Sequence, residues 1–284
     1  MHTTLISVSE LAANLGEPDW AIVDCRFRLD DPEAGRRLYE KAHIPGAVYA
    51  DLDRDLAAPP APDAGRHPLP DLDQFRQRVG QWGIGEGVQV VCYDDRGGAL
   101  AARLWWMLRY LGHEAVAVLD GGWPAWVGAA QPTRSGVEHR TPTTFDGEPR
   151  PERLATMEEV EALVERGEGQ RLLDARDAAR YRGEFETIDP AAGHIPGARN
   201  HPFAQNLNDG GRFRSPDELA ATYREVLAGV PSDGVISYCG SGVTATHNIL
   251  AMVHAGLAEP RLFIPSWSGW SSNPDRPIEQ GDDP

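Results

Sequence analysis

The chain has 284 residues, of which 41% are hydrophobic and 25% charged, and its formal net charge is −16. That length supplies one large domain or two ordinary ones, because domains cluster near roughly 100–150 residues. The composition fits a packed globular protein and offers no apolar run of membrane-spanning length. The acidic balance disfavours nucleic acid and anionic lipid, which are held through Lys and Arg, so an anionic ligand has to be attracted by local cations. The first residues lack the basic start, apolar centre and small-residue cleavage site of an export signal, and a cytoplasmic location is expected. Three cysteines, Cys25, Cys92 and Cys239, cannot all pair and show no CxxC spacing. Free thiols and no metal site are therefore expected.

Taken in chain order, the sequence reads twice. An apolar run from Trp20 to Arg26 reads as a buried strand and is followed by His43-Ile44-Pro45-Gly46-Ala47. Helical periodicity follows over 75–82, then a strand over 88–94 and a helix over 99–110. The half closes on Trp123 and Trp126. In the second half the same landmarks recur as a strand from Arg171 to Arg176, then His194-Ile195-Pro196-Gly197-Ala198 and a helix over 218–227. A strand ending at Tyr238 and Cys239, a helix over 243–254 and the pair Trp267 and Trp270 complete it. Alternating strands and helices imply an α/β fold in which each half is a parallel sheet with helices on both faces. The polar, proline-containing stretch after Val137 has neither period and reads as a connection. The expected division is a first domain over 1–136, a linker over 137–155 and a second domain over 156–284.

In open α/β sheets, chemistry sits where a strand passes through a short loop into a helix. Cys239 is at such a place, followed by Gly240, Ser241, Gly242, Val243 and Thr244. The glycines let the backbone curl around the sulfur and aim successive amide N–H groups inward, a cradle that favours a thiolate or persulfide. A cysteine phosphatase would use a similar loop with an arginine six positions after the cysteine, where this chain has Ala245. The clamp for a phosphoryl group is missing. Cys25 and Cys92, inside apolar strands without such a loop, read as packing residues.

With the two His-Ile-Pro-Gly-Ala strings, the Cys239 loop and the closing run from Leu262 to Trp270, nearly the whole chain resembles the tandem rhodanese family of thiosulfate and 3-mercaptopyruvate sulfurtransferases. The closing run departs from the family pattern at Pro265 and Gly269, where Gly and Glu are usual, and these changes are expected to touch only a structural turn. The resemblance implies two tandem rhodanese-like domains, the first without a catalytic cysteine. Asp94 stands at the place matching Cys239, where it reads as a capping or solvated carboxylate at a helix start.

The resemblance further implies a Cys239 persulfide, and the Cys-Gly-Ser-Gly-Val-Thr pattern points to 3-mercaptopyruvate as donor, since no cation follows the cysteine to favour thiosulfate. Arg180 matches the family's substrate arginine. A second one usual in the family is absent, so either Arg182 or Arg176 substitutes or carboxylate binding is weaker. A proton relay of Ser241, His67 and Asp53 is implied as well, with His67 and Asp53 arriving from the first domain. The partners implied are a small anionic sulfur donor and a thiol acceptor such as thioredoxin or glutathione, or cyanide in an assay, with no metal or organic cofactor. The alternatives are a thiosulfate:cyanide sulfurtransferase and a binding module without activity, because fold alone does not establish function. His43 and His194 are expected to make structural hydrogen bonds.

Overall fold

The computed structural model describes residues 1–282. The chain forms two compact units. The first comprises Met1–Ala58, Leu69–Arg150 and Asp209–Phe213; the second comprises Pro59–Pro68, Pro151–Asn208 and residues 214–282.

In the first unit, strands β1 (Leu5–Ile6), β2 (Trp20–Asp24), β3 (Val48–Tyr49), β4 (Gln89–Tyr93) and β5 (Val116–Leu119) form a sheet in the order β1-β5-β4-β2-β3. Every pairing is parallel, with β2 and β4 in register from Trp20 opposite Gln89 to Asp24 opposite Tyr93. The helix Ala101–Tyr110 follows β4 and is buried along its whole length, as a nearly all-apolar helix must be. In the second unit, β6 (Leu172–Asp174), β7 (Arg199–Asn200), β8 (Ile236–Tyr238) and β9 (Arg261–Leu262) form a parallel sheet in the order β7-β6-β8-β9. The helix Pro216–Leu227 starts with a capping box of Ser215 and Glu218 and carries Pro216 in its first turn, both strong start signals.

The repeat written in the sequence is also a repeat of buried polar anchors. Arg26 binds Asp24 at 2.6 Å and lies 4.6 Å over the Trp123 ring. Arg176 binds Asp174 at 2.6 Å and lies 4.7 Å over Trp267. His43 stacks on Tyr39 and bonds its carbonyl at 2.8 Å, and His194 does the same with Tyr181 at 2.9 Å. Each tandem string thus supplies a histidine with a structural hydrogen bond, as expected.

The connection differs from expectation. Residues 137–150 strap onto the first unit, with the Glu138 N–H on Tyr39 Oη, the Thr143 N–H on the Gly80 carbonyl and the Arg150 N–H on the Tyr110 carbonyl, all at 2.9 Å. A Cβ on Gly80 would lie 2.4 Å from the Thr143 carbonyl oxygen, so this glycine is what admits the strap. Past it, the turn Pro151–Arg153 leads into the second unit, where the Ala155 N–H reaches the Leu262 carbonyl at 3.0 Å. The polar composition had hidden a segment whose backbone groups are paired with the domain beneath it.

Candidate active site

Cys239 directly follows β8 and is 2% exposed. Its N–H donates to Ser266 Oγ at 3.1 Å, and its carbonyl accepts the Trp267 N–H at 2.9 Å. Gly242 has φ +75°, and a Cβ there would lie 2.7 Å from the Ile264 carbonyl oxygen, so only glycine turns this corner. Ser266, φ +52°, holds a left-handed conformation without being glycine, a strain of about 1–3 kcal/mol. Its hydroxyl is anchored by a bond to the Phe263 carbonyl at 2.9 Å and fixes the Cys239 amide. Val243 is buried, and its carbonyl accepts from Thr246 Oγ1 at 2.6 Å. The helix Ala245–His254 then begins from Thr244, whose own side chain does not cap it.

The first unit carries the same loop with Asp94 after β4. The buried Asp94 carboxylate accepts N–H bonds from Arg96 and Gly98 at 2.7 and 2.9 Å on one oxygen, and from Leu100 and Ala101 at 2.7 and 2.8 Å on the other. Asp94 caps the helix Ala101–Tyr110 from full burial, so of the two expected readings, capping is the one seen and solvation is not. The loop is thereby an anion cradle in this protein, built from backbone amides alone.

Over the Cys239 loop lies Pro59–Pro68, which packs in the second unit. His67, expected from the first domain, is therefore a second-unit residue, and its Nδ1 stands 2.7 Å from Ser241 Oγ, both side chains buried. The segment is seated by glycines. A Cβ on Gly65 would lie 2.5 Å from the Pro265 carbonyl oxygen, and one on Gly269 would lie 2.7 Å from the Asp63 carbonyl oxygen. The Arg66 N–H bonds Ser268 Oγ at 3.1 Å, and Arg276 bonds Asp63 at 2.7 Å. Pro265 and Gly269, expected to affect only a turn, thus make the seat for the segment that carries His67. Asp53 belongs to the first unit, exposed in the turn formed by Asp51, which accepts its N–H at 3.0 Å.

The loop after Cys239 is neutral in sequence and surrounded by cations in space. The position a Cβ on Gly240 would take lies 2.9 Å from Arg66 Nη2 and 3.6 Å from Arg180 Nη1. Arg180 is held by Glu186 at 2.7 Å and Asp189 at 3.0 Å, and Arg66 is paired with the same Asp189. Burial lowers the basicity of Arg66, with Cys239 and Glu186 pulling the other way and Arg180 and Arg176 adding to the lowering. The two substitutes named for the missing arginine each have partners, and Arg176 also stands 3.8 Å from Glu186. Arg176 is committed to Asp174, the Gly193 carbonyl and the Trp267 face. Arg182, a third exposed, turns to Glu184 at 2.7 Å. Arg66 went unnoticed because its signal was adjacency alone: it precedes His67 by one residue.

The rhodanese-like domain family matches residues 7–129 and 156–273, and the chain belongs to that family, with two copies of its domain. A Pseudomonas aeruginosa protein named probable 3-mercaptopyruvate sulfurtransferase is 46% identical over 280 residues, covering 98% of both chains. The thiosulfate sulfurtransferase of Rattus norvegicus is 31% identical over 99% of this chain and 97% of its own. Among solved structures, 3-mercaptopyruvate sulfurtransferase from Leishmania major superposes with a TM-score of 0.82 at 32% identity, covering 94% of this chain and 73% of that one.

Proposed function

We propose that the protein is a sulfurtransferase that takes sulfur from 3-mercaptopyruvate onto Cys239 and passes it to a thiol. The observation that carries this is the position of Cys239 on the copy of a loop whose other copy holds a full carboxylate charge on four backbone amides. The same cradle suits a thiolate and then a persulfide anion.

In the first step the Cys239 thiolate attacks the donor sulfur, an S–S bond forms, and the donor C–S bond breaks with its electron pair passing to the pyruvate enolate. Ser241 donates to the enolate oxygen, and His67, hydrogen-bonded to it, moves the proton that completes pyruvate. Arg180 holds the donor carboxylate, while Gly240, Gly242, Val243 and Thr244 shape the cradle. In the second step an acceptor thiolate attacks the outer sulfur, and Cys239 leaves as thiolate. The chemistry needs no metal or organic cofactor. Thioredoxin or glutathione suits the acceptor role. Three unpaired cysteines fit a reducing cytoplasm, and no helix among the described residues is long and apolar enough to cross a membrane.

One observation favours a second donor: Arg66 and Arg180 over Gly240 provide the cations that a thiosulfate dianion would use, with sulfite as leaving group. The test is intact mass after exposure to each donor. The wild-type protein should gain one sulfur atom and lose it to cyanide, whereas Cys239→Ser should gain none. Sulfur transfer by Cys239→Ser above a few per cent of wild type would overturn the assignment, and Cys25→Ser or Cys92→Ser should keep it.

A further inference from the structure

Two guanidinium groups cover the residue next to the nucleophile, and one carboxylate already bridges them. Asp189 Oδ2 accepts from Arg180 Nη2 at 3.0 Å, and Asp189 Oδ1 is paired with Arg66 Nη1. The carboxylate is 1% exposed. Its geometry is that of a small carboxylic acid held by two arginines, each oxygen facing one. Glu186, by contrast, is tied into its own loop: Oε1 accepts the Ile188 and Asp189 N–H groups at 2.8 and 3.1 Å, and Oε2 pairs with Arg180. Asp189 therefore sits where a ligand would, and Glu186 is part of the frame. Arg66 Nε is buried without a hydrogen-bond partner, which leaves the receptor a donor in reserve.

Resting on the mercaptopyruvate reading above, we propose that Arg66 and Arg180 together form the receptor for the donor's carboxylate, and that Asp189 occupies it as an internal competitor which the donor displaces. Charge supports exchange over addition. The two arginines are balanced by Glu186 and Asp189; a further carboxylate would leave a buried excess of negative charge beside the Cys239 thiolate, whereas exchange keeps the balance. The segment bearing Asp189 borders solvent, with Phe185 and Ile188 on it 48% and 44% exposed. An internal occupant lowers apparent affinity by the fraction of time the receptor is open. Asp189 thus sets the Michaelis constant and selects against anions too weak to displace it.

The test uses the full-length protein and three variants, each checked for native circular dichroism. Asp189→Asn keeps the side-chain shape and removes the competing charge. It should lower the Michaelis constant for mercaptopyruvate, and the inhibition constant of pyruvate, by about tenfold, with kcat within about threefold of wild type. Asp189→Ser should do the same by vacating the receptor. Arg66→Ala should raise both constants by about tenfold or more while leaving kcat nearly unchanged, and Arg66→Lys should restore only part of the loss, because an ammonium cannot present the planar fork. Folded Asp189 variants with constants unchanged or raised would overturn the competitor role. An unchanged Michaelis constant in Arg66→Ala would overturn the receptor, and with it the competitor role, whether or not the Asp189 variants fold. Failure of the underlying reading looks different: the wild-type protein itself would then gain no sulfur from mercaptopyruvate.

Discussion

Asp94 and Cys239 occupy the same step between strand and helix, each following a tyrosine that ends a central strand and preceding a glycine at positive φ, Gly97 at +67° and Gly242 at +75°. The Asp94 carboxylate fills its cradle with four N–H bonds, and Cys239 brings a thiol to the matching place. Duplication thus left one copy as a fixed structural anion and the other as the chemical one.

The first prediction follows from that pairing. Asp94→Ala removes the acceptor for four backbone N–H groups, of which those of Gly98 and Ala101 are buried, and unsatisfied buried donors cost roughly 1–3 kcal/mol each in the absence of relaxation. The first unit should lose at least about 2 kcal/mol, read as a lower midpoint in urea unfolding. Sulfur loading on Cys239 should persist in whatever fraction stays folded. A midpoint within error of wild type would show that the cradle relaxes around the missing charge.

Ser241→Ala and His67→Asn should separate chemistry from binding. The 2.7 Å contact between Ser241 Oγ and His67 Nδ1 places the relay where the enolate leaves, so kcat for mercaptopyruvate should fall by about 10²-fold or more, the usual worth of positioned proton transfer. The Michaelis constant should move little. Thiosulfate, whose sulfite departs without a proton, should be much less affected. Equal losses with both donors would assign the pair to structure.

Much of this arrangement was readable in the sequence, and the reason is physical. Glycine corners and buried strands leave local signatures, so the Cys239 loop, the tandem histidines and the alternation of strand and helix could be seen. The seating of Pro59–Pro68 in the second unit could not, because it depends on Gly65 and Gly269 meeting carbonyls about 200 residues away in sequence. Arg66 was hidden for the same reason: its proximity to Gly240 is created by that seating. The strap over 137–150 read as a linker because backbone hydrogen bonds to a distant helix end leave no trace in composition.

Acid should weaken the fold from the histidine range downward. His201 is buried in a polar cluster with Asn206, Tyr223, His247 and Asn248. Burial pushes His201 and His194 below their ordinary value of 6.5, against the opposing pull of Asn206 on the first and of Tyr181 on the second. The unfolded chain binds protons at these sites that the folded chain resists, so their contribution is fully present above the ordinary value of 6.5 and is lost as pH falls below it. Glu10 and Glu159, lowered by hydrogen bonds to Ser7 and Thr156, add to the loss only as pH approaches their ordinary 4.5. Unfolding midpoints should therefore drop between roughly pH 7 and 5.5, and the drop should be shallower in His201→Gln. An identical slope in that variant would remove His201 from the account.

Donor choice is the last prediction, and the structure changes its basis. Neutral Gly240 and Ser241 were the reason to expect mercaptopyruvate over thiosulfate, yet Arg66 and Arg180 stand over Gly240, so bare charge near the sulfur no longer discriminates. What remains specific to mercaptopyruvate is the Ser241–His67 pair for its enolate and a receptor whose bridged geometry matches a planar carboxylate. We expect a higher kcat/KM for mercaptopyruvate than for thiosulfate in the wild-type protein. The double variant Gly240→Arg, Ser241→Lys removes the hydroxyl and drives a side chain into the place of the Arg66 guanidinium, 2.9 Å from the new Cβ. Both changes strike the mercaptopyruvate step, while the added cations leave a dianion attracted. The ratio of the two specificity constants should shift toward thiosulfate by about tenfold or more, measured in parallel steady-state assays. A wild-type preference for thiosulfate, or a double variant that loses both donors equally, would mean that the cations over Gly240 decide the choice and the proton relay does not.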